Sequence, residues 1–133
     1  MFDISKNILG LGDNIDLIKS LPDESIDLIY MDPPFNSGRD YVNFNDKWKS
    51  SDTYLEFIKV RLIEIKRILK KTGNIYLHCD THESHYIKIM MDKIFGRNMF
   101  INEIAWCYAN PSVAKYSFAR KHDIILFYNK TNE

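Results

Sequence analysis

An open α/β sheet, mostly parallel and with helices on both faces, is the fold class that three observations predict. Apolar runs of strand length alternate with longer segments whose apolar residues recur at three and four. Gly, Pro or an Asx residue punctuates the junctions between them. The resulting order of strand, helix, strand, helix, strand belongs to sheets built from right-handed crossovers. No internal repeat, low-complexity tract or Pro/Gly/Ser-rich linker divides the 133 residues, so one domain over 1–133 is expected.

The elements follow in order. Asn7 to Leu11 is a short apolar run closed by Gly12-Asp13-Asn14, and Asp13 or Asn14 can cap a helix carrying Ile15, Leu17, Ile18 and Leu21. Pro22 ends it. Ile26 to Met31 is apolar except for Asp27, as a strand covered on both faces should be. From Thr53 to Lys71 the positions Leu55, Ile58, Leu62, Ile65 and Leu69 form one helical stripe, with Ser51 or Asp52 as cap and Gly73 just past the end. Asn74 to Cys79 reads as a second buried strand and His82 to Phe95 as a helix stopped by Gly96. Phe100 to Tyr108 and Asp123 to Tyr128 read as the last strands. Phe35 to Trp48 has no period, and long irregular loops at strand ends are where function concentrates.

Composition narrows the function classes. Eighteen acids balance eighteen Lys and Arg, so the chain has no global field for nucleic acid and any such contact must be local. Two cysteines make no disulfide framework, and the lack of a basic-then-apolar leader points to a reducing cytoplasm. No apolar run approaches the roughly 20 residues that cross a bilayer.

The chemistry gathers where Ile26–Met31 gives way to Asp32-Pro33-Pro34-Phe35. Ligands of open α/β sheets bind just beyond the carboxyl ends of strands, and Asp32 is the first residue past one. An exocyclic amine is a poor nucleophile because its lone pair is delocalised into the ring. Two fixed acceptors for its hydrogens would let it pyramidalise. The Asp32 carboxylate can be one, offsetting the positive charge that develops on nitrogen, and the Pro33 carbonyl can be the other. Pro33 and Pro34 hold φ near −65° and carry no competing N–H. Phe35 offers a flat face to a base, an interaction worth about 1–3 kcal/mol. A base inside a duplex would have to be flipped to arrive there. The plain alternative is a strand end and a turn.

The stretch LGDNIDLIKSLPDESIDLIYMDPPFNSGRDY resembles the amino-methylating DNA methyltransferases, in particular the β group, in which the Asp-Pro-Pro-Phe/Tyr motif precedes the cofactor glycine motif. GNIYLHCD and KHDIILFYNK extend the resemblance, which is to the modification subunits of type III and some type II restriction systems. It implies a partial Rossmann-like methyltransferase sheet, S-adenosylmethionine as methyl donor, double-stranded DNA as partner and a possible restriction subunit. Asp32, Pro33, Pro34 and Phe35 take the catalytic roles, and Asp13 and Asp32 are the donor-binding candidates, although Asp13 fits a helix cap equally well. An Asp-led motif closed by Phe favours N6 of adenine, with N4 of cytosine or an inactive truncated binding module as alternatives. The family's Phe-x-Gly-x-Gly loop does not appear in the sequence, and Gly10-Leu11-Gly12 stands where the family has Gly-Asp. The chain therefore reads as the catalytic part without the donor-binding half, expected to be inactive alone. Exposed sheet edge and apolar surface would favour a second copy or a complementing chain.

DNA contacts are expected from the irregular loop, at Asn36, Arg39, Lys47 and Lys49. Lys59, Arg61, Lys66, Arg67, Lys70 and Lys71 read as a solvated helix face, with phosphate contact as the alternative. His78-Cys79-Asp80-Thr81-His82-Glu83-Ser84-His85 has metal-ligand residue types, but strand neighbours point to opposite faces. The expectation is no metal, with His78 and Asp80 lining the cleft.

Overall fold

The computed structural model describes residues 6–109 and 114–132. Its elements run α1 (Asn14–Ser20), β1 (Ile26–Met31), α2 (Ser51–Ile68), β2 (Leu69–Cys79), α3 (Ser84–Phe95), a 3-10 turn (Arg97–Met99), β3 (Phe100–Cys107) and β4 (His122–Asn129). The strands form one sheet in the order β1-β2-β4-β3. β1 pairs with β2 in parallel, in register Met31 to Leu77, whereas β4 runs antiparallel to both β2 and β3. The α/β class is as expected, but the sheet is mixed. All the same, its geometry brings the carboxyl ends of β1, β2 and β3 and the amino end of β4 to one edge of the molecule.

Helices cover only one face among the described residues. Ile29, Met31, Ile75, Leu77, Cys79, Ile124, Leu126 and Tyr128 alternate along the strands toward α2 and α3, where Ile58, Leu62, Ile65, Ile87 and Met91 meet them. On the opposite face Leu28, Tyr30 and Trp106 each expose more than half of their surface (55%, 54% and 58%), and Tyr76 stacks on Phe127 at 4.4 Å. This corrects the expectation of a strand and a sheet covered on both sides. An apolar run such as Leu28-Ile29-Tyr30 specifies two apolar faces, but covering the second takes residues that the described part does not supply.

α2 starts at a capping box between Ser50 and Thr53 and ends at Ile68, three residues before the helical stripe runs out. The chain turns straight into β2 because Gly73 lies against β1: a Cβ there would sit 3.0 Å from the Ile26 carbonyl oxygen and 3.1 Å from that of Asp27. The residues 7–11, read as an apolar run, form no strand and are exposed.

Three of the six basic residues, Arg61, Lys66 and Arg67, act inside the molecule, whereas Lys59 and Lys71 are exposed as a solvated face should be and Lys70 pairs with Asp27 at the surface. Arg61 is buried (5% exposed), donates to Asp13, Asn14 and the Phe57 carbonyl, and lies 3.5 Å above the Phe57 ring. Arg67 reaches the carbonyls of Ile18 and Leu21 as well as Glu64 and Asp23. Lys66 donates to Ile94. The two arginines dock α1 beside α2 along the β1 edge, using guanidinium forks that satisfy several acceptors at once, and Lys66 ties α2 to α3.

Candidate active site

The end of β1 delivers Asp32 to the common edge with its side chain 59% exposed, while Pro33 is buried and Pro34 and Phe35 are half-buried. No hydrogen bond among the described residues takes the Pro33 carbonyl. Asp32 and Pro33 stand on the walls of two separate cavities. One, of about 350 Å³, is lined by Asp32 to Phe35, Tyr41, Phe44 and Asp46. Tyr41 and Phe44 stack on each other at 4.4 Å in its wall, so it is an aromatic pocket with a carboxylate at its mouth. The other, of about 300 Å³, runs between α1, α2 and β1 over Ile18, Leu21, Ile26 and Ile29 and ends at Tyr30 and Asp32. Both fall at the small end of the range for small-molecule sites.

The loop that carries the motif is held from behind by two buried carboxylates. Asp46 (3% exposed) accepts from the backbone N–H groups of Asn36 and Ser37 at 2.9 and 3.1 Å and from the Ser37 hydroxyl. Glu83 (7% exposed) accepts from the Asn36 amide at 2.9 Å and from Ser51 at the start of α2 at 2.7 Å. Asn36 Oδ1 in turn accepts from the Trp48 N–H. Asn36 also has a positive φ of 58°, which Asn tolerates better than most residues. Its amide is thus engaged in bonds within the molecule. Glu83 precedes α3 without capping it, because its carboxylate is engaged across the cleft.

A second polar group lies on the open side. One register step beyond the Met31–Leu77 pair, His78 Nδ1 is 3.7 Å from Asp32 and 3.0 Å from the Tyr30 hydroxyl. Its Nε2 is 3.3 Å from Asp123, which also accepts from the Tyr108 hydroxyl. The His78 and Phe35 rings are 5.3 Å apart. Burial, with Asp32 nearby, raises the Tyr30 phenol, and burial with Asp123 raises that of Tyr108, so both stay protonated donors at neutral pH. Cys79 faces the other side of the sheet, where burial pushes its thiol up to about 12.

The remaining candidates are spread out. Arg39 lines a wider cavity of about 560 Å³ that shares Phe35 and Tyr41 with the aromatic pocket and adds Arg120, His82 and Asp80. His82 bonds to Asp80 and to Arg120 at 2.5 Å each. Lys47 pairs with Asp40 at 2.6 Å, and Lys49 is exposed. Asp13 caps α1 by accepting from the Ile15 N–H, and the same oxygen takes Arg61 at 2.6 Å. That N–H first, then Arg61, hold its carboxyl below the ordinary value against the opposing effect of burial. It borders a cavity of about 310 Å³ that continues through Asn14 toward the α1/β1 groove.

Asp46, Glu83, Tyr30 and Asp123 were not singled out from the sequence. Asp46 lies in a loop without period, where no spacing ties an acid to a backbone ten residues earlier. Asp123 starts an apolar strand and resembles a solubilising end.

Comparison with known proteins places these features in a wider set. The profile of the family described as DNA methylase matches residues 26–133. The chain is 34% identical over 141 residues to the type II methyltransferase M.KpnI of Klebsiella pneumoniae, covering 98% of this chain and 34% of that protein. It is 31% identical over 116 residues to the DNA adenine methyltransferase YhdJ of Escherichia coli K12, covering 86% of this chain and 38% of the relative. A Thermus thermophilus protein solved in complex with S-adenosyl-L-methionine superposes with a TM-score of 0.70 at 17% identity, over 92% of this chain and 55% of that one. The chain thus spans little more than a third of the length of these curated relatives.

Proposed function

The chain belongs to the DNA methylase family, and from that premise we propose that it forms the amine-holding part of an enzyme that methylates N6 of a flipped adenine in DNA. One observation carries this reading: Asp32 and Pro33 belong to the walls of both the aromatic pocket and the α1/β1 groove. A base in the first and a donor in the second would meet at one carboxylate.

The residues present fit both occupants. Tyr41, Phe44 and Phe35 give the pocket stacking surface for a purine, and Asp32 with the unengaged Pro33 carbonyl provides two acceptors for its amino hydrogens. The groove joins apolar walls at Ile18, Leu21 and Ile29 to the Asp32 carboxylate, as suits a ligand with an apolar body and a cationic sulfur. Asp13, oriented by Arg61, is assigned to the adenosyl end of that ligand. S-adenosylmethionine, when bound, supplies a methyl group on positively charged sulfur that an amine nitrogen can take. Asp32 keeps the amine hydrogens aimed away from the incoming carbon and offsets the charge that grows on nitrogen. Asp46 and Glu83 fix the loop so that this geometry exists before the base arrives.

The partners proposed are double-stranded DNA, approached through Arg39 and Lys49 with Lys47 beside them, a restriction subunit, and a second copy or complementing chain over the bare face of Leu28, Tyr30 and Trp106. No described helix is long and apolar enough to cross a membrane, and a cytoplasmic enzyme is the reading adopted. Incorporation of labelled methyl groups into DNA by the intact enzyme tests the proposal. Adenine N6 should carry the label, and Asp32→Ala should abolish it. Label on another atom, or undiminished label in the variant, would overturn the reading.

A further inference from the structure

Methylation leaves the amine nitrogen with one proton too many, and Asp32, the carboxylate that holds it, cannot keep that proton and serve a second turnover. We infer that His78 receives it, as a proton acceptor behind Asp32 whose tautomer is set by Asp123. This inference rests on the amine-methylation reading of the same corner and names the route by which the proton leaves.

The geometry is that of an acid–imidazole–acid line across three strands. Asp123 on β4 faces Nε2 at 3.3 Å, and a carboxylate can only accept there, so the neutral ring carries its proton on Nε2. Nδ1 is left as a lone-pair acceptor. It faces Asp32 at 3.7 Å and the Tyr30 hydroxyl at 3.0 Å, both on the β1 side. The groups facing the ring are thus Tyr30 and Asp32 from β1, Phe35 from the loop, and Asp123 from β4 with Tyr108 behind it.

The steps balance. As the carbon–nitrogen bond forms, the sulfur keeps the electron pair of the bond that breaks, and the nitrogen becomes cationic. It loses one proton to an Asp32 oxygen. That proton passes to His78 Nδ1, and the Tyr30 hydroxyl, a donor to Nδ1 beforehand, turns to accept from the new Nδ1–H. The imidazolium is held between Asp32 and Asp123 and releases its proton to solvent, to which its side chain remains 16% exposed. Asp32 is again ionised, and no oxidant, reductant or metal is consumed.

The ring also touches Phe35, so a merely structural His78 would affect base stacking instead of proton transfer. The experiment separates these. Nitrogen-15 NMR of the intact enzyme, without donor or DNA, should show His78 as the Nε2–H tautomer, and Asp123→Asn should mix the tautomers. In turnover, His78→Gln should lower kcat by roughly 10²-fold, the usual scale of a general base, with KM for DNA little changed. Added imidazole should restore part of the rate. A wild-type ring protonated on Nδ1, an unchanged kcat, or a loss confined to KM and insensitive to imidazole would each overturn the inference. Asp32→Ala keeps the two levels apart: if it abolishes methylation while His78→Gln leaves kcat unchanged, only the proton route fails, and if it leaves methylation intact the underlying reading fails.

Discussion

Asp32 and Asp46 are carboxylates of one corner with opposite surroundings. Asp32 is 59% exposed, stands on two cavities and has His78 at 3.7 Å. Asp46 is 3% exposed and accepts from two backbone N–H groups and a hydroxyl. The first is a charge kept short of partners, and a charge in that condition is available to a ligand. The second has its lone pairs occupied, and burial without those bonds would be costly. Under the proposed function, one acid is disposed for chemistry and the other for holding the chemistry still.

The largest effect expected from breaking that contrast is on activity alone. Asp32→Ala should reduce methyl transfer by roughly 10³-fold or more, the order seen when a charge-stabilising group is removed, with the thermal midpoint unchanged. A variant that unfolded earlier would place Asp32 with the structural acids. Asp46→Ala should do the reverse in proportion. Losing the acceptor for Asn36 and Ser37 leaves two backbone donors stranded in a half-buried loop, a cost of about 2–3 kcal/mol readable by chemical denaturation, with a smaller fall in kcat. Should stability hold while kcat collapses, the division of labour between the two acids would be wrong.

Asp32 was legible from sequence because three signals coincide there: an apolar strand, a strand end and a pair of prolines that fix the following carbonyl. The α2 stripe was legible through its period, and its boundary was not, because Gly73 answers to the β1 backbone across the sheet rather than to the helix. Arg61 was misread for a related reason. Its period places it among basic residues that look solvated, and only the docking of α1 reveals the acceptors at Asp13, Asn14 and Phe57 that allow it to be buried. Glu83 shows the same limit at the site, since its two partners are 47 and 32 residues earlier in the chain. What the sequence withheld are polar bonds between elements, which have no local period.

Glu83 sharpens the comparison on a smaller scale. Glu83→Gln keeps the size and one carbonyl acceptor for the Asn36 amide, while Ser51 can rotate to accept from the new amide N–H. A loss of about 1 kcal/mol in stability is expected, with kcat reduced a few-fold and KM for DNA unchanged. A loss as large as that of Asp46→Ala would mean that the negative charge itself, and not the bond pattern, seats the loop. Unfolding midpoints of the two variants, taken at one pH, decide this.

Asp13 has the smallest expected effect and stands between the two kinds of acid, being 54% exposed yet paired with the buried Arg61. Its carboxyl is lowered by the Ile15 N–H and by Arg61 against an opposing burial effect. A folded-state value below the unfolded one contributes stability that is fully present above the unfolded value of about 4 and is lost as pH falls through the folded one. Asn caps a helix about as well as Asp, so Asp13→Asn should lower the neutral-pH midpoint only by the lost charge pairing with Arg61 while flattening the acid side of the curve. Parallel curves for the two proteins would remove the ion pair from the stability of α1. If the variant instead binds S-adenosylmethionine several-fold more weakly at neutral pH with its midpoint intact, Asp13 belongs with Asp32, and a single side chain both caps a helix and meets the donor.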